Sequence, residues 1–251
     1  MFKKELAPGI IQYMFPPRRE EDYYGYNIVA IIYEKKALLI DAAFEDEASR
    51  VLKDLHASGI EIDKVIISHF HDDHMQGLKV LPKVPVYGSG HYQETLDMWT
   101  PKEEHKYFTP TVSVERPMTI KFGNHTLEII PSPGHSVCTV LVKINEQFLH
   151  AADEIMYSND GKPLLPSIES RGDIKRQLES WNKIKEYQDF TVIPGHGSEI
   201  EGSKLYKDIQ NRYAYAKAIL EAEGSITYEE ATSNCDCTFL HIDWFEHLAE
   251  K

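Results

Sequence analysis

The sequence contains few cysteines and no long apolar segment. Three cysteines occur among 251 residues, at Cys138, Cys235 and Cys237, and this sparse, odd number is typical of a reducing cytoplasm. No apolar run approaches the roughly 20 residues that a membrane-spanning helix needs. The N-terminal segment has neither a continuous apolar core nor a small-residue cleavage site, which argues against a secretory signal. We therefore expect a cytoplasmic protein with no membrane partner.

Basic charge is also scarce. The chain has 27 Lys and Arg against 40 Asp and Glu, a formal net charge of −13 at pH 7. Affinity for nucleic acids comes largely from Lys and Arg, so a nucleic-acid partner is not expected, although a local basic groove is compatible with an acidic average. A small-molecule substrate suits this composition better.

The pattern of apolar residues predicts strands and helices that alternate along the chain. The predicted strands cover residues 26–33, 37–40, 64–68, 84–87, 112–114, 118–122, 125–130, 137–144, 147–151 and 190–193. The predicted helices cover residues 45–58, 91–99, 173–187 and 203–223. No Gly/Ser linker divides the chain, so we predict one α/β domain over residues 1–251, with two packed sheets and helices outside them.

Histidines and aspartates are concentrated in the segment 69–74, which reads HFHDDH. His69 and His71 are two residues apart, so their imidazoles point the same way on an extended backbone. Asp73 and His74 are adjacent, so they diverge and can turn toward a second metal ion. A chance surface cluster of histidines is the alternative interpretation.

Further ligand-type residues follow other predicted strands. His135 and His196 each end a Pro-Gly-His turn directly after a strand. Proline ends strand pairing and glycine permits an otherwise strained backbone, so the histidine is presented at the strand end. Asp153 also lies at a strand end, where its carboxylate could bridge two cations. A helix cap or a turn is the alternative role for this aspartate.

Together these residues resemble the metallo-β-lactamase fold superfamily, whose pattern is HxHxDH followed by a distant His, a distant Asp and a final His. The matching residues, in order, are His69, His71, Asp73, His74, His135, Asp153 and His196. The resemblance extends over about residues 8–200 and includes Asp41, the early aspartate that in relatives supports the metal loop. It implies an αββα four-layer sandwich of two pseudo-symmetric halves.

The resemblance also implies how the ligands are shared between two divalent cations. By analogy with that superfamily, the first metal is held by His69, His71 and His135. The second is held by Asp73, His74 and His196, and Asp153 bridges the two metals. These nitrogen and oxygen ligands suit Zn²⁺, our choice for a hydrolase, and also iron or Mn²⁺. Two such cations make hydroxide available from a bridging water near neutral pH. We therefore predict catalytic roles for Asp73 and Asp153.

Departures from individual branches of the superfamily narrow the function. Asp153 argues against class B β-lactamases, which usually lack a bridging aspartate, and His71 against flavodiiron enzymes, which usually have Glu there. Glyoxalase II-like thioesterases share all seven ligands but usually read GDTLF where this chain reads AADEIMY. Lactonases usually place a tyrosine three residues after the bridging aspartate, where this chain has Met156 and then Tyr157.

Substrate contacts are expected from residues outside the motif. Tyr23 and Tyr24 lie in a loop that in relatives can overhang the metals, although aromatic residues packed on the body of the protein are an equal alternative. Tyr157 and the segment 163–166 are further candidates for the pocket wall.

The C-terminal tail, residues 225–251, contains Cys235, Cys237 and His241. Only three soft ligands are visible there and no fourth is well spaced, so a separate zinc site is not favoured. A packed or homodimer-contacting tail is expected instead, with Trp244, Phe245 and Leu248 buried.

The chain is thus predicted to be a dinuclear metallohydrolase of a small ester, thioester, lactone or phosphoester. Two alternatives stay open. One is an iron oxidoreductase of the persulfide dioxygenase type, and the other is a non-catalytic sensor that retains its metals.

Overall fold

Two β-sheets lie face to face in a computed structural model that describes residues 1–19, 22–168, 173–222 and 225–245. The described part of the first sheet comes from the N-terminal half of the chain. Its strands are β1 (Phe2–Ala7), β2 (Ile10–Met14), β3 (Asn27–Tyr33), β4 (Lys36–Ile40), β5 (Glu61–Ile66), β6 (Val86–Ser89) and β7 (Val112–Val114). They lie side by side in chain order. Pairing is antiparallel up to β4 and parallel from β4 to β7.

The second sheet is formed by the following part of the chain. Its described strands are β8 (Met118–Phe122), β9 (His125–Pro131), β10 (Val140–Ile144), β11 (Phe148–His150), β12 (Thr191–Ile193) and β13 (Ile200–Glu201). They follow the order β13-β12-β11-β10-β9-β8 across the sheet. Only β11 and β12 pair in parallel, because the chain between them crosses over through a helix.

Helices cover the outer faces of both sheets. The described helices are α1 (Glu45–Ala57), α2 (Asp72–Met75), α3 (Tyr92–Trp99), α4 (His105–Phe108), α5 (Ile174–Ile184), α6 (Gly202–Glu221) and α7 (Tyr228–Thr232). None of these described helices combines the length and the apolarity that a membrane crossing requires.

Three apolar clusters hold four layers together. The first cluster joins α1 to the first sheet, the second lies between the sheets, and the third joins the second sheet to α5 and α6. Strand β4 contributes to two of them, because Leu39 faces the helices while Leu38 and Ile40 face the other sheet. Both faces of this strand are therefore buried, as its continuous apolar run predicts. The predicted α/β sandwich with an αββα order of layers is confirmed.

One edge of the sandwich collects the ends of several strands. Strands β4 and β5 run parallel, as do β11 and β12. Strand β9 runs the same way as β11, since both are antiparallel to β10. The loops that leave the carboxyl ends of these strands therefore meet at one edge, which is where ligand sites form in sheets of this kind.

Candidate metal centre

The short helix α2 begins inside the HFHDDH segment, so the second histidine of the segment lies on extended backbone and the last ligand-type residues lie on a helix. His71 immediately precedes the helix in an extended conformation, and Asp73 and His74 lie within it. The ring centroids of His69 and His71 are 4.6 Å apart, and those of His69 and His74 are 4.0 Å apart. His69 and His74 are buried, so this loop presents imidazoles from an extended and from a helical backbone to one interior space.

The two Pro-Gly-His turns approach that space closely because glycine has no side chain. A Cβ at Gly195 would collide with the carboxylate of Asp153, and one at Gly134 with the carboxylate of Glu154. Asp153 itself follows Ala152, which adopts a left-handed backbone with φ +49°. Strain of this kind at a non-glycine residue concentrates at functional sites.

Asp153 lies at the centre of the predicted ligands. Its Oδ2 is within 4 Å of four imidazole nitrogens. They come from the predicted ligand sets of both metals, which we call the first and the second half-site. The distances are 3.1 Å to His196 Nε2, 3.4 Å to His74 Nε2, 3.7 Å to His69 Nε2 and 3.8 Å to His135 Nε2. A carboxylate in this position can offer one oxygen to each of two cations, which is the bridging role that the sequence predicts.

All seven predicted ligands are brought together in three overlapping groups. Within each group the potential ligand atoms lie within 4.8 Å of one another. The groups are His69 with His71 and His135, His69 with His74 and Asp153, and Asp73 with His74 and His196. The first and third reproduce the two predicted half-sites, and Asp153 lies in the group between them.

Oxygen atoms of the surrounding protein orient the imidazole rings by contacting the ring nitrogen that faces away from the centre. The Nδ1 atom of each of four histidines contacts an oxygen of the surrounding protein, which leaves Nε2 directed to the centre. The contacts are His74 with Asp41 Oδ2 (2.9 Å), His196 with Gly25 O (2.7 Å), His135 with Ser167 O (3.1 Å) and His69 with Ser68 Oγ (3.2 Å). Such contacts fix the tautomer in which Nε2 carries the free lone pair.

Asp41 supports the loop in the manner that the sequence predicts. Its Oδ1 accepts the backbone N–H of Ser68 at 2.7 Å, and its Oδ2 accepts the Ser68 hydroxyl at 2.8 Å. Asp41 is buried and has a left-handed backbone with φ +61°. Aspartate tolerates that conformation better than most residues.

Glu154 is a supporting residue that the sequence does not reveal. It is buried, and its Oε1 accepts the backbone N–H groups of Gly134 and His135 at 3.1 and 3.0 Å. Gln177 of α5 donates to the other carboxylate oxygen. Burial raises the pKa of Glu154 to about 7, although these hydrogen bonds oppose the shift. No spacing in the sequence connects this glutamate with a turn some twenty residues earlier.

Burial and neighbouring charges shift the pKa values of the predicted metal ligands. Burial, with the nearby His74, holds the pKa of His69 well below its usual range. Burial would also lower the pKa of His196, but Asp153 and Asp73 outweigh it and raise that pKa to about 10. For Asp73, burial is opposed by His74 and His196, and the pKa falls to about 2. Both carboxylates are therefore ionised at neutral pH.

The residues fit a pair of divalent cations. Nε2 of His69, Nε2 of His74 and Oδ1 of Asp153 are buried without a hydrogen-bond partner among the described residues. Buried polar atoms that lack a partner are costly, and a pair of cations, one beside His69 and one beside His74, would satisfy these three atoms. Imidazole nitrogen and carboxylate oxygen are the donors that zinc prefers, and both also bind iron and manganese.

A pocket of about 390 Å³ opens over the ligands. Besides several predicted ligands, it is lined by Tyr24, Asp72, Trp99, Met156, Ser167 and Trp244. The ring of Tyr24 lies 4.5 Å from that of His196. Tyr24 thus lies beside the predicted metal ligands, and its contact with a substrate stays a prediction. The sequence shows Trp99 only as the end of a helix and Trp244 only as a tail residue, so neither is recognisable there as a pocket residue.

Two predicted substrate contacts lie elsewhere. Tyr157 is buried beside Arg212 and Asp208, and it is Met156 that lines the pocket. The two residues are adjacent in an extended segment, so their side chains point in opposite directions. Tyr23 is 49% exposed and packs edge-on against His241 outside the pocket lining.

The C-terminal tail packs on the protein. Phe245 is buried, and Trp244 is partly buried at the pocket, whereas the predicted burial of Leu248 lies outside the described residues. Cys235 Sγ lies 3.3 Å from the backbone oxygen of Asn211. Among the described residues, the groups of potential metal ligands do not include the tail cysteines. The segment 163–166 contributes Leu164 and Leu165 to the core rather than to the pocket wall.

Several known proteins are similar to this chain. A hydroxyacylglutathione hydrolase of Pectobacterium atrosepticum is 28% identical over 151 residues, which are 59% of this chain and 52% of the relative. An atrochrysone carboxyl ACP thioesterase of Passalora fulva is 23% identical over 230 residues, 88% of this chain and 64% of the relative. The chain thus spans about half to two thirds of the length of these relatives. A metallo-beta-lactamase from Pontibacter korlensis shares the fold, with a TM-score of 0.68, 18% identity, and coverage of 84% of this chain and 99% of that one.

A sequence model of the metallo-beta-lactamase superfamily matches residues 23–196. This stretch is more than half of the chain and contains Asp41 and all seven predicted ligands. The chain belongs to the metallo-beta-lactamase superfamily.

Proposed function

We propose that this protein is a dinuclear metallohydrolase that cleaves a small ester or thioester with the help of two Zn²⁺ ions. The predicted ligand sets are His69, His71 and His135 for one ion, and Asp73, His74 and His196 for the other, with Asp153 shared. A homodimer and a cytoplasmic location stay predictions of the sequence.

The position of Asp153 carries the proposal. Its Oδ2 is 3.1 Å from His196 Nε2 in one predicted half-site and 3.8 Å from His135 Nε2 in the other. One carboxylate between two sets of imidazoles is the arrangement that a two-metal site requires.

The residues of the chain would position the reactants. When bound, the two cations supply a hydroxide at neutral pH and polarise the carbonyl under attack. Asp73 lines the pocket and, being ionised, can accept a hydrogen bond from the attacking water and orient it. Burial and the nearby Asp73 and Asp153 raise the pKa of Tyr24, so its hydroxyl stays protonated and can donate a hydrogen bond to the substrate.

The names of two relatives support ester-type chemistry. A hydroxyacylglutathione hydrolase and an ACP thioesterase are among the similar proteins, and both names describe cleavage of a thioester. The pocket, at about 390 Å³, lies in the lower part of the range for small-molecule sites. We therefore favour a small thioester or ester over a lactone or a phosphoester.

Metal analysis and a substrate panel test the proposal. We expect protein purified from its native host to contain two zinc ions per chain by mass spectrometry. The zinc-loaded protein should hydrolyse members of a panel of esters, thioesters, lactones and phosphodiesters. One iron and no zinc per chain would contradict the hydrolase and favour the oxidoreductase. Failure with the entire panel would favour a sensor.

A pair of histidine variants tests the site. His71→Ala should lower bound metal and abolish activity, because His71 belongs to the first group of ligands. The matched control is His91→Ala, which removes an exposed histidine that pairs only with Glu94 on α3. Unchanged metal content in His71→Ala would refute the assignment of the ligands.

A further inference from the structure

An exposed tryptophan stands at one side of the pocket. Trp99 is the last residue of α3, is 57% exposed and lines the pocket. Its ring lies 6.4 Å from that of His71 and nearly perpendicular to it, at 87°. An exposed aromatic side chain at the wall of a pocket is available to contact an apolar group of a ligand. This indole therefore forms an apolar wall beside the first half-site.

A second tryptophan stands beside the other half-site. Trp244 lies 6.1 Å from Tyr24, and Tyr24 lies 4.5 Å from His196. The indole is stacked on His241 at 4.4 Å with an interplanar angle of 9°. The Nε2 atom of His241 lies 2.6 Å from the backbone oxygen of Asp22. The tail is thereby attached to the tyrosine loop, so the second apolar wall is held in place.

The described residues that line the pocket include no Lys or Arg. The titratable side chains among the described pocket residues are histidines, aspartates and Tyr24, and none is Lys or Arg. Arg18 borders a neighbouring cavity next to Asp72, but its guanidinium is 2.7 Å from the carboxylate of Glu47 and lies over the ring of Phe44. Asp72 is exposed at the mouth and would repel an anion. A negatively charged substrate would thus find no Lys or Arg among the described residues of this pocket.

We propose that the substrate carries an aromatic or similarly flat apolar group, recognised by Trp99 and Trp244, and no anionic group away from the scissile bond. This inference rests on the proposed ester or thioester hydrolysis and specifies its substrate class. It would set the protein apart from enzymes that bind glutathione thioesters, because glutathione carries two carboxylates and the described pocket residues offer no Lys or Arg to pair with them.

Matched thioesters test the preference. The phenylacetyl and acetyl thioesters of N-acetylcysteamine differ in the aromatic ring, and the phenylacetyl thioester of glutathione differs from the first in charge. We expect kcat/KM for the neutral phenylacetyl thioester to exceed that of each of the other two by about tenfold or more. Equal values, or a preference for the glutathione thioester, would overturn the inference.

Variants of the two tryptophans test whether the preference for the phenylacetyl thioester comes from the apolar walls that Trp99 and Trp244 form. In Trp99→Ala and in Trp244→Ala, the ratio of kcat/KM for phenylacetyl over acetyl thioester should fall about 3- to 10-fold, the range that one aromatic contact contributes. Trp99→Phe should retain most of the ratio. Tyr107→Ala is the matched control, since Tyr107 is 49% exposed on α4 and lies outside the pocket lining. A ratio unchanged in both tryptophan variants would overturn the inference.

Binding of phenylacetamide, an uncharged analogue that carries no ester bond, separates this inference from the proposed function. The chain has three tryptophans, and Trp181 is fully buried in the core, so ligand-induced fluorescence changes report on Trp99 and Trp244. Phenylacetamide should change the emission and acetamide should not, and the change should shrink in Trp99→Phe. If phenylacetamide binds while no thioester is cleaved, the hydrolase proposal fails and the aromatic site stands. If thioesters are cleaved but phenylacetamide leaves the emission unchanged, the aromatic site fails.

Discussion

Glu154 accepts the backbone N–H of His135 at 3.0 Å, and the same carboxylate oxygen accepts the N–H of Gly134. Glu154, which directly follows Asp153, therefore holds the turn that carries His135, a predicted ligand of the first metal. Because Glu154 is almost fully buried, water cannot replace it as the acceptor for these two donors.

Replacement of Glu154 should weaken metal binding more than it weakens folding. Glu154→Ala leaves the buried N–H of His135 without its acceptor, at about 1–3 kcal/mol, and leaves the N–H of Gly134 with Ser132 O at 2.8 Å as its remaining acceptor. The turn of His135 is thereby freed. We expect zinc affinity to fall about 10- to 100-fold, as for other groups that orient metal ligands. Competition with a chromophoric chelator measures the affinity. Glu154→Gln should retain most of it, since an amide oxygen can accept both donors.

The control for this variant is another buried glutamate. Glu47 of α1 pairs with Arg18 and contacts none of the predicted ligands through its carboxylate. Glu47→Ala should lower the free energy of unfolding while zinc affinity stays at the wild-type value. Wild-type zinc affinity in Glu154→Ala would show that the turn of His135 is held by other contacts.

Even an isosteric change at Asp41 should impair the site. Asp41 accepts hydrogen bonds from Ser68 and faces Nδ1 of His74 at 2.9 Å. An amide nitrogen in place of Oδ2 would donate to Nδ1 of His74 and transfer the imidazole proton to Nε2, which must be free to bind metal. We therefore expect Asp41→Asn to lower zinc affinity about 10- to 100-fold.

Asp41→Asn is a sharp test because asparagine also tolerates the left-handed backbone at this position. A loss of metal affinity would therefore not arise from backbone strain. Asp54→Asn is the matched control, since Asp54 pairs with Lys3 and Tyr13 at the surface of the first sheet. It should leave zinc affinity unchanged, and equal affinities of the two variants would contradict the role assigned to Asp41.

The sequence predicts those parts of the molecule that depend on short-range pattern. Leu38, Leu39 and Ile40 form a continuous apolar run because both faces of β4 are covered. Strand ends followed by ligand-type residues predict that these residues meet at one edge of the sheets, and the structure brings all seven together. Their binding of metal stays a prediction.

What the sequence does not predict depends on contacts between distant segments. Strand β1 contains three consecutive charged residues, Lys3, Lys4 and Glu5, and is largely exposed, so its sequence lacks the alternating apolar pattern that would predict a strand. Trp244 reaches the pocket only because the tail packs beside Tyr24, more than two hundred residues earlier. The structure places Met156 rather than Tyr157 in the pocket lining, because neighbouring side chains of an extended segment point in opposite directions.

A buried arginine connects α6 to the pocket wall. Arg212 donates to the backbone oxygens of Met156 and Leu164, each at 2.9 Å, and pairs with Asp208 at 2.6 Å. Arg212→Met removes the cationic partner of the buried Asp208 carboxylate and one hydrogen bond from each of the two carbonyl groups, which should lower the free energy of unfolding by about 3–5 kcal/mol. Urea denaturation measures this change.

A double mutant and a surface control complete the test of Arg212. Removal of the stranded carboxylate in Arg212→Met/Asp208→Leu should recover a large part of the lost stability, because the uncompensated charge is the main cost. Lys217→Met removes a cation from the same helix, where it forms an exposed pair with Glu221. This control should cost no more than about 0.5 kcal/mol. A double mutant as unstable as Arg212→Met would assign the loss to the two carbonyl groups instead.

Removal of metal should lower the thermal stability of the protein. His69 Nε2 and His74 Nε2 are buried without partners in the described part of the chain, so a cation that binds only the folded state stabilises it. At a free zinc concentration 100 times Kd, one site contributes about 2.7 kcal/mol, or about 5–10 °C in Tm for a chain of this size. Scanning calorimetry should therefore show a lower Tm after chelation and its recovery with zinc. His71→Ala should show a smaller zinc-dependent rise than His91→Ala. An equal rise in both variants would place the stabilising ion outside the predicted centre.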